Sequence, residues 1–392
     1  MLERLEAQAP DALLALIRLY AADPRSDKID LGVGVYRTED GATPVFAAVK
    51  AAEQVLVDTQ DSKSYLGPEG DMGFVKALMP YVFGAADPDM GGRISGMQTP
   101  GGTGAVRLAL ALAQKAGVKR VYMGVPSWPN HAQILADLGL ELVTFPHARQ
   151  DGTADLDAVL DIIDNAGPDE AVLLHGCCHN PTGIDYTAFD WDSIAQAFAA
   201  SGTFPIIDAA YQGLGHGLEE DAAGMRAVLA AVPEAFVAYS CDKNFGQYRD
   251  RVGAFYILGK DSAALDVAFS NANALARACW SMPPDHGGAV VRIILDDQAM
   301  TAQWLAELDT MRARMRQVRD ALAAAGTAGR IDLTPLAAQN GLFAMLPVTK
   351  EEVATLREEH GIYMAASGRI NIAGLTSANL PKFIAALGAV AQ

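Results

Sequence analysis

Residues able to do chemistry follow short apolar runs in the middle of this chain, at one run after another. RVYMGV (120–125) is followed by PSWPNH, which carries Trp128, Asn130 and His131. EAVLLHG (170–176) is followed by CCHNPTG, with Asn180. FPIID (204–208) ends in Asp208, and AAYQG then supplies Tyr211. EAFVAYS (234–240) ends in Ser240, CDKNFG supplies Lys243, and Arg251 precedes the run VGAFYIL (252–258). In parallel α/β sheets, ligands collect outside the carboxyl ends of the strands. One sheet edge would thus gather an indole, an amide, a carboxylate, a phenol, a hydroxyl, an amine and a guanidinium.

TPGGTGAVRLALALAQ lies upstream of these runs. Its glycines permit close backbone approach to a ligand, and the helix that follows offers free N–H groups and a positive dipole end. That is a phosphate cradle. It lacks the lysine of a P-loop, and Arg107 stands where GxGxxG would need its third glycine. A phosphate site, a lysine, a buried acid and an aromatic plate together suggest pyridoxal 5′-phosphate, whose aldehyde condenses with an amine and whose ring nitrogen needs a carboxylate partner. Among the ten lysines, Lys243 is selected by its place between Ser240 and Arg251.

These residues need elements to hold them. Continuous apolar runs alternating with helical spacing at 104–116, 130–138, 185–200 and 219–231 read as buried parallel strands of an α/β sheet. Thr43 and Pro44 read as a helix N-cap and first-turn proline. A long helical pattern runs from near Ala289 to Gly326, enough to bridge two lobes, and an α+β pattern follows. LGVGVY (31–36) reads as a strand belonging to that second, smaller lobe.

Composition narrows the rest. The 392 residues suit two lobes, and 51% apolar content supports a large core. A net charge of −17 disfavours nucleic acid as a partner. No apolar run reaches the ~18 residues of a membrane span, and MLERLEAQAPD does not read as a secretory signal. Four cysteines, two of them adjacent, suit a reducing cytoplasm.

At these motifs the chain resembles the aspartate/aromatic amino-acid aminotransferases, class I of the pyridoxal-phosphate enzymes. The likeness runs from KIDLGVGVY through SYLGPEG, TPGGTGA, PSWPNH, HGCCHNPTG, DAAYQG, KNFGQYRDRVGA and MPPDHGG to SGRINIAG. The resemblance implies an aspartate-aminotransferase-like fold, with a large domain built on a mostly parallel sheet and a smaller α+β domain. The division it suggests is an N-terminal arm at 1–11, a small domain at 12–42 and 311–392, and a large domain at 43–310. It implies that Lys243 bonds the cofactor and shuttles a proton, and that Asp208 pairs with the pyridine nitrogen. Tyr211 and Asn180 would bind the ring hydroxyl, and Trp128 would stack on the ring. Gly102, Thr103, Ser240 and Arg251 would hold the phosphate, with Tyr65 of a partner subunit. Arg369 would grip the substrate α-carboxylate, with Gly34 closing over it. Arg277 would meet a side-chain carboxylate across a homodimer interface, with Trp128 and Asn180 also facing substrate.

The implied reaction is ping-pong transfer of an amino group between aspartate, glutamate or aromatic amino acids and 2-oxo acids such as 2-oxoglutarate. A lyase on the same scaffold, a strictly aspartate-specific enzyme and a non-catalytic binding protein are the alternatives. Two positions depart from the family pattern. Asp242 replaces the usual small hydroxyl residue, which sets an acid beside a dianion unless it points away. Met282 replaces a polar residue and suits apolar substrates. Plainer readings stand beside these. HGCCH could bind a metal, but adjacent cysteines seldom close on one ion, so no metal is expected. His131, His175 and His179 could be hydrogen-bonded core residues, Arg277 an interface ion-pair residue, and Trp304 core.

Overall fold

The computed structural model describes residues 2–7 and 12–392, with side chains from 14 onward in the first helix, α1 (Ala12–Ala22). The expected arm at 1–11 lies in part outside the described residues. The strand expected over LGVGVY lies upstream, at Ile29–Asp30 (β1). The Asp30 carboxylate accepts from the N–H groups of Gly32 (2.9 Å) and Val33 (3.4 Å), which turns the chain and ends the extended run. Residues 31–36 are held instead by Asn371, whose side-chain amide donates to the carbonyls of Val33 (2.6 Å) and Val35 (2.7 Å).

The chain divides into two compact units, Met1–Thr43 with Arg314–Gln392, and Pro44–Ala313. The sequence reading places these divisions after 42 and after 310. The larger unit opens with α2 (Ala47–Thr59) and α3 (Met72–Phe83), then β2 (Ile94–Pro100) and α4 (Gly101–Ala116). Alternation continues through β3 (Arg120–Val125), α5 (Pro129–Leu138), β4 (Glu141–Pro146), α6 (Leu156–Asn165) and β5 (Glu170–His175). It ends with α7 (Ala188–Ser201), β6 (Phe204–Ala209), α8 (Leu218–Ala231), β7 (Ala235–Ser240), β8 (Val252–Leu258), α9 (Ser262–Cys279) and α10 (Asp285–Asp296). Helix α11 (Gln298–Ala324) contains the division between the units.

The seven strands form one sheet in the order β2-β8-β7-β6-β5-β3-β4. From β4 to β7 the pairing is parallel. VGAFYIL departs from expectation: β8 pairs antiparallel with both β7 and β2. A parallel return needs a long crossover, usually through a helix, and the link from Ser240 to Val252 holds none. Every residue of β7 and β8 is buried, which is why both read as unbroken apolar runs. β2 and β4 escaped the sequence reading. β2 carries the buried polar pair Gln98 and Thr99, and β4 is a half-exposed edge strand.

Two helix expectations also change. The pattern from Ala289 is two helices, broken at Asp297, whose carboxylate accepts from the N–H groups of Ala299 (2.8 Å) and Met300 (2.9 Å) and restarts the chain as α11. Thr43 does not cap α2; its hydroxyl donates to the Tyr36 carbonyl at 3.0 Å. The helix begins later, and Glu307 of α11 accepts from its first N–H groups, at Ala47 (2.6 Å) and Ala48 (3.1 Å).

The smaller unit adds β9 (Thr327–Ala328), β10 (Ile331–Asp332), β11 (Phe343–Met345), α12 (Lys350–His360), β12 (Ile362–Tyr363), β13 (Arg369–Asn371) and α13 (Leu380–Val390). β1 pairs parallel with β12, and β11 antiparallel with β13. Its core joins Ile29, Leu31, Leu322, Leu356, Ile370 and Phe383. Among the described residues, no helix is long and apolar enough to cross a membrane.

Candidate active site

The register of the large sheet explains how residues far apart in sequence meet. His175 on β5 pairs with Asp208 on β6, and Asp208 with Ala238 on β7. Ser240 on β7 pairs with Gly253 on β8, and Val252 with Pro100 on β2. Because β8 runs backwards, its start lies at the same edge as the ends of β2, β5, β6 and β7. Arg251 reaches that edge from the opposite chain direction.

Asp208 is buried and its two oxygens differ. Oδ2 accepts from His131 Nε2 at 2.9 Å, while Oδ1 has no hydrogen-bond partner within the protein. The hydrogen bonds behind His131 have a fixed polarity. The Asn180 backbone N–H donates to His175 Nδ1 at 3.1 Å, so a neutral His175 carries its proton on Nε2. That proton goes to Ser127 Oγ (3.3 Å), the Ser127 hydroxyl donates to His131 Nδ1 (3.2 Å), and His131 Nε2–H is left to donate to Asp208. Burial works to raise the Asp208 carboxyl, but the hydrogen bond from His131 and the neighbouring basic groups, Lys243 among them, bring it below its ordinary value. Burial pushes His175 down to about 3 and His147 down to about 4, and holds His179 well below its usual value. His147, His179 and His175 stack, with centroids 3.5 Å and 4.3 Å apart, so these histidines are a packed, neutral ladder behind the acid.

Lys243 follows β7. Its Nζ lies 3.5 Å from Ser240 Oγ and 5.2 Å from the centre of the Tyr211 ring. Burial lowers its pKa, against the opposing pull of Asp242 and Asp208, so its neutral amine is more accessible than that of a surface lysine. Asn180 Nδ2 donates to Tyr211 Oη at 3.2 Å, which brings both predicted ring ligands together. Trp128, at the start of α5, makes an edge contact with His131 at 5.0 Å.

The expected glycine loop is itself the first turn of α4, which starts at Gly101 with no side-chain cap on its N–H groups. Gly101 has φ +68°, and a Cβ there would lie 2.5 Å from Arg251 Nη2. A Cβ on Gly102 would lie 2.8 Å from Ser240 Cβ. Gly101, Gly102, Ser240 and Arg251 therefore lie together at an uncapped helix N-terminus, with Thr103 in the same first turn of α4.

Tyr65 and Arg277 stand apart from this cluster. Tyr65 is 94% exposed, and Arg277, which hydrogen-bonds Ser281, is exposed as well. The two stretches meet on the surface, where the Leu66 N–H contacts Met282 Sδ at 3.1 Å. Gln98 ties both down, accepting from the Asp71 N–H (2.8 Å) and donating to the Pro284 carbonyl (2.8 Å). In the smaller unit, Arg369 donates to the Gly32 carbonyl at 2.9 Å and its guanidinium lies 4.5 Å from the Phe343 ring centre. A Cβ on Gly34 would lie 2.7 Å from Phe343 Cζ. Phe343 thus joins Gly34 to Arg369.

The family model described as aminotransferase class I and II matches residues 26–387. The chain belongs to this aminotransferase family. A tyrosine aminotransferase of Rhizobium meliloti (strain 1021) is 49% identical, with 96% of this chain and 97% of that one covered. An aspartate aminotransferase of Escherichia coli (strain K12) is 43% identical over the full length of both. Among solved structures, the aromatic-amino-acid aminotransferase of Burkholderia pseudomallei, covalently bound to pyridoxal phosphate, matches with TM-score 0.95 and 34% identity over 100% of both chains.

The cofactor of this aminotransferase is pyridoxal 5′-phosphate, and the cluster suits it. A buried carboxylate oxygen without a partner fits a ring N–H, a low-pKa lysine fits an aldehyde, and the α4 cradle fits a phosphate. The alternative metal reading of HGCCH meets a physical obstacle. Cys177, Cys178 and Asp221 lie close together, but Asp221 already accepts from the N–H groups of Gly213, Gly215 and His216 at 2.8–2.9 Å. Trp304 is core, donating to the Asn244 carbonyl at 2.8 Å and stacking on Phe245. Sequence reasoning missed Ser127, Gln98 and Phe343. A polar residue within a buried strand was the available signal for Gln98; Phe343 offered none, since its partners lie in other segments.

Proposed function

We propose that this aminotransferase exchanges amino groups between aspartate, glutamate or aromatic amino acids and 2-oxo acids by a ping-pong route. In this reading it is a cytoplasmic homodimer with shared active sites. The observation that carries the mechanism is the pairing, on one sheet edge, of a lysine with a lowered pKa and a buried acid whose second oxygen awaits a donor.

When bound, pyridoxal phosphate supplies an electron sink for the carbanion that forms at the substrate α-carbon. The protein's residues do the rest. Asp208 Oδ1 accepts the ring N–H, and the His131–Ser127–His175 chain keeps the acid ionised in that role. Lys243 Nζ would hold the cofactor between turnovers and, once released, would act as the base that takes the proton from the substrate α-carbon and delivers it to the cofactor carbon on the far side of the shared nitrogen. Its lowered pKa favours the neutral base. Asn180 and Tyr211 orient the ring oxygen, and Trp128 covers the ring face. Gly102, Thr103, Ser240 and Arg251 hold the phosphate. Arg369 grips the α-carboxylate by paired hydrogen bonds, with its guanidinium steadied by Phe343 and Gly34 set close against that ring.

Tyr65 and Arg277 are proposed to serve a partner's site. Their exposure and shared surface support this, because an outward tyrosine and arginine beside Leu66 and Met282 suit an interface better than water. Arg277 favours dicarboxylates and Met282 tolerates rings, and the names of the relatives span both classes. Cys177, Cys178, Cys241 and Cys279 are all free thiols, which suits a reducing compartment. Lys243→Ala should lower turnover by at least about 10²-fold; turnover near the wild-type rate would overturn the lysine assignment. A comparison of kcat/KM for aspartate, tyrosine and phenylalanine, with 2-oxoglutarate as acceptor, tests the substrate reading. Aspartate activity without measurable aromatic activity would reject it.

A further inference from the structure

The phosphate cradle holds a second acid that the mechanism does not use. Asp242 is only 2% exposed. Its Oδ1 accepts from the Val252 N–H at 3.0 Å, and its Oδ2 pairs with Arg251 Nη1. The carboxylate faces the cradle: a Cβ built on Gly101 would lie 3.0 Å from Asp242 Oδ2 and 2.5 Å from Arg251 Nη2. Acid and guanidinium thus meet the first residue of α4 side by side. Around Asp242 the ionisable neighbours are Arg251 before β8, and Lys243 and Cys241 on its own loop; from α4, Gly101 faces it.

A charge count follows. Arg251 brings one positive charge that is not lost at ordinary pH, and an ionised Asp242 cancels it. The helix N-terminus and the Ser240 hydroxyl then face a phosphate that approaches two negative charges above its second pKa of about 6. Two anions at one site do not both stay fully ionised. We propose that Asp242 is a charge-setting residue of the phosphate site, which obliges the enzyme to take up a proton when the phosphate group of its cofactor binds. The inference rests on the reading above that this cradle holds the phosphate. Burial raises the Asp242 pKa despite Lys243 and Arg251, so the acid is a ready acceptor of that proton.

The probe is pyridoxamine 5′-phosphate, which has no aldehyde and forms no bond to Lys243. The full-length enzyme in this form is equilibrated by dialysis against the probe from pH 6 to 8.5 at fixed ionic strength. Protons are counted by titration calorimetry in two buffers of different ionisation enthalpy. In the wild type, Kd should rise toward tenfold per pH unit above about pH 6, with close to one proton taken up at pH 7.5. Asp242→Asn keeps the shape without the charge, and Asp242→Ser puts a neutral hydroxyl there. Both should flatten the profile, bring proton uptake near zero and tighten binding about 10- to 100-fold at pH 8, with little difference at pH 6. Loss of the Lys243 proton does not mimic this. Removing the acid makes that amine easier to deprotonate, which would weaken anion binding in the variants.

A flat wild-type profile overturns the inference without any variant. So does an unchanged slope and proton count in either variant that retains its thermal transition. Arg251→Ala separates the two readings. If it leaves probe affinity unchanged, the assignment of the phosphate cradle fails. If it weakens binding while the Asp242 variants match the wild type, only the role of Asp242 fails.

Discussion

Asp208 and Asp242 belong to neighbouring strand ends of the same sheet edge, and both are buried. Burial pushes both carboxyls up, yet the outcomes differ: Asp208 ends below its ordinary pKa and Asp242 above it. Asp208 accepts from a histidine whose proton is directed at it by a chain of hydrogen bonds starting from a backbone N–H. Asp242 accepts from one backbone N–H and shares its other oxygen with an arginine that remains partly exposed, at 39%. Depth does not decide the charge of a buried acid; the polarity of what stands behind it does.

The largest expected effect on this contrast comes from Asp208→Asn. It keeps the shape but removes the anion proposed to pair with the ring N–H, and kcat/KM should fall by about 10²–10⁴-fold; steady-state kinetics with cofactor in excess read this. A fall of less than about tenfold would mean that the acid is structural.

Acid titration probes the ladder behind Asp208. His147 has a folded pKa of about 4, against 6.5 for an unperturbed imidazole. A group lowered on folding contributes stability that is fully present above its unfolded pKa and is lost as pH falls toward the folded value. Stability should therefore fall between about pH 6.5 and pH 4. At pH 5 the loss is about 2 kcal/mol for one such histidine, read by urea denaturation at pH 7 and pH 5. His147→Gln should make that slope shallower by one histidine's share, because His175 and His179 are lowered as well.

Ser127→Ala cuts the hydrogen-bond chain at its middle. It should cost about 1–1.5 kcal/mol at the Asp208 site, close to tenfold in kcat/KM. The nitrogen NMR signals of the wild-type enzyme should show His131 as the Nε2–H tautomer; an Nδ1–H tautomer would refute the proposed polarity. The smallest effect comes from a change that touches neither acid. Glu307→Ala removes the acceptor for the first N–H groups of α2 and should cost about 1 kcal/mol of stability, measured by thermal unfolding with the Asp208 site intact.

Much of this edge was legible in the sequence because strand ends are local features. Asp208, Ser240 and Lys243 each follow an apolar run, and a parallel sheet puts such ends together. What the sequence hid is mostly direction and distance. Burial makes VGAFYIL apolar whichever way it runs, so its antiparallel pairing left no trace in periodicity. Glu307 caps α2 from a helix far along the chain, and Phe343 joins Gly34 to Arg369 from a third segment. Asp30 ended the expected LGVGVY strand, and Asp297 divided the expected long helix, because a short carboxylate can bond backbone N–H groups just ahead of it. Such local bonds compete with any periodic pattern.

The reversal of β8 has one more consequence. A single short hairpin carries the amine, the hydroxyl, the acid and the guanidinium as one cassette between Ser240 and Val252. A deletion or insertion within it would displace the proposed base and the proposed anchoring group together, so the segment can evolve by exchange of side chains far more readily than by change of length.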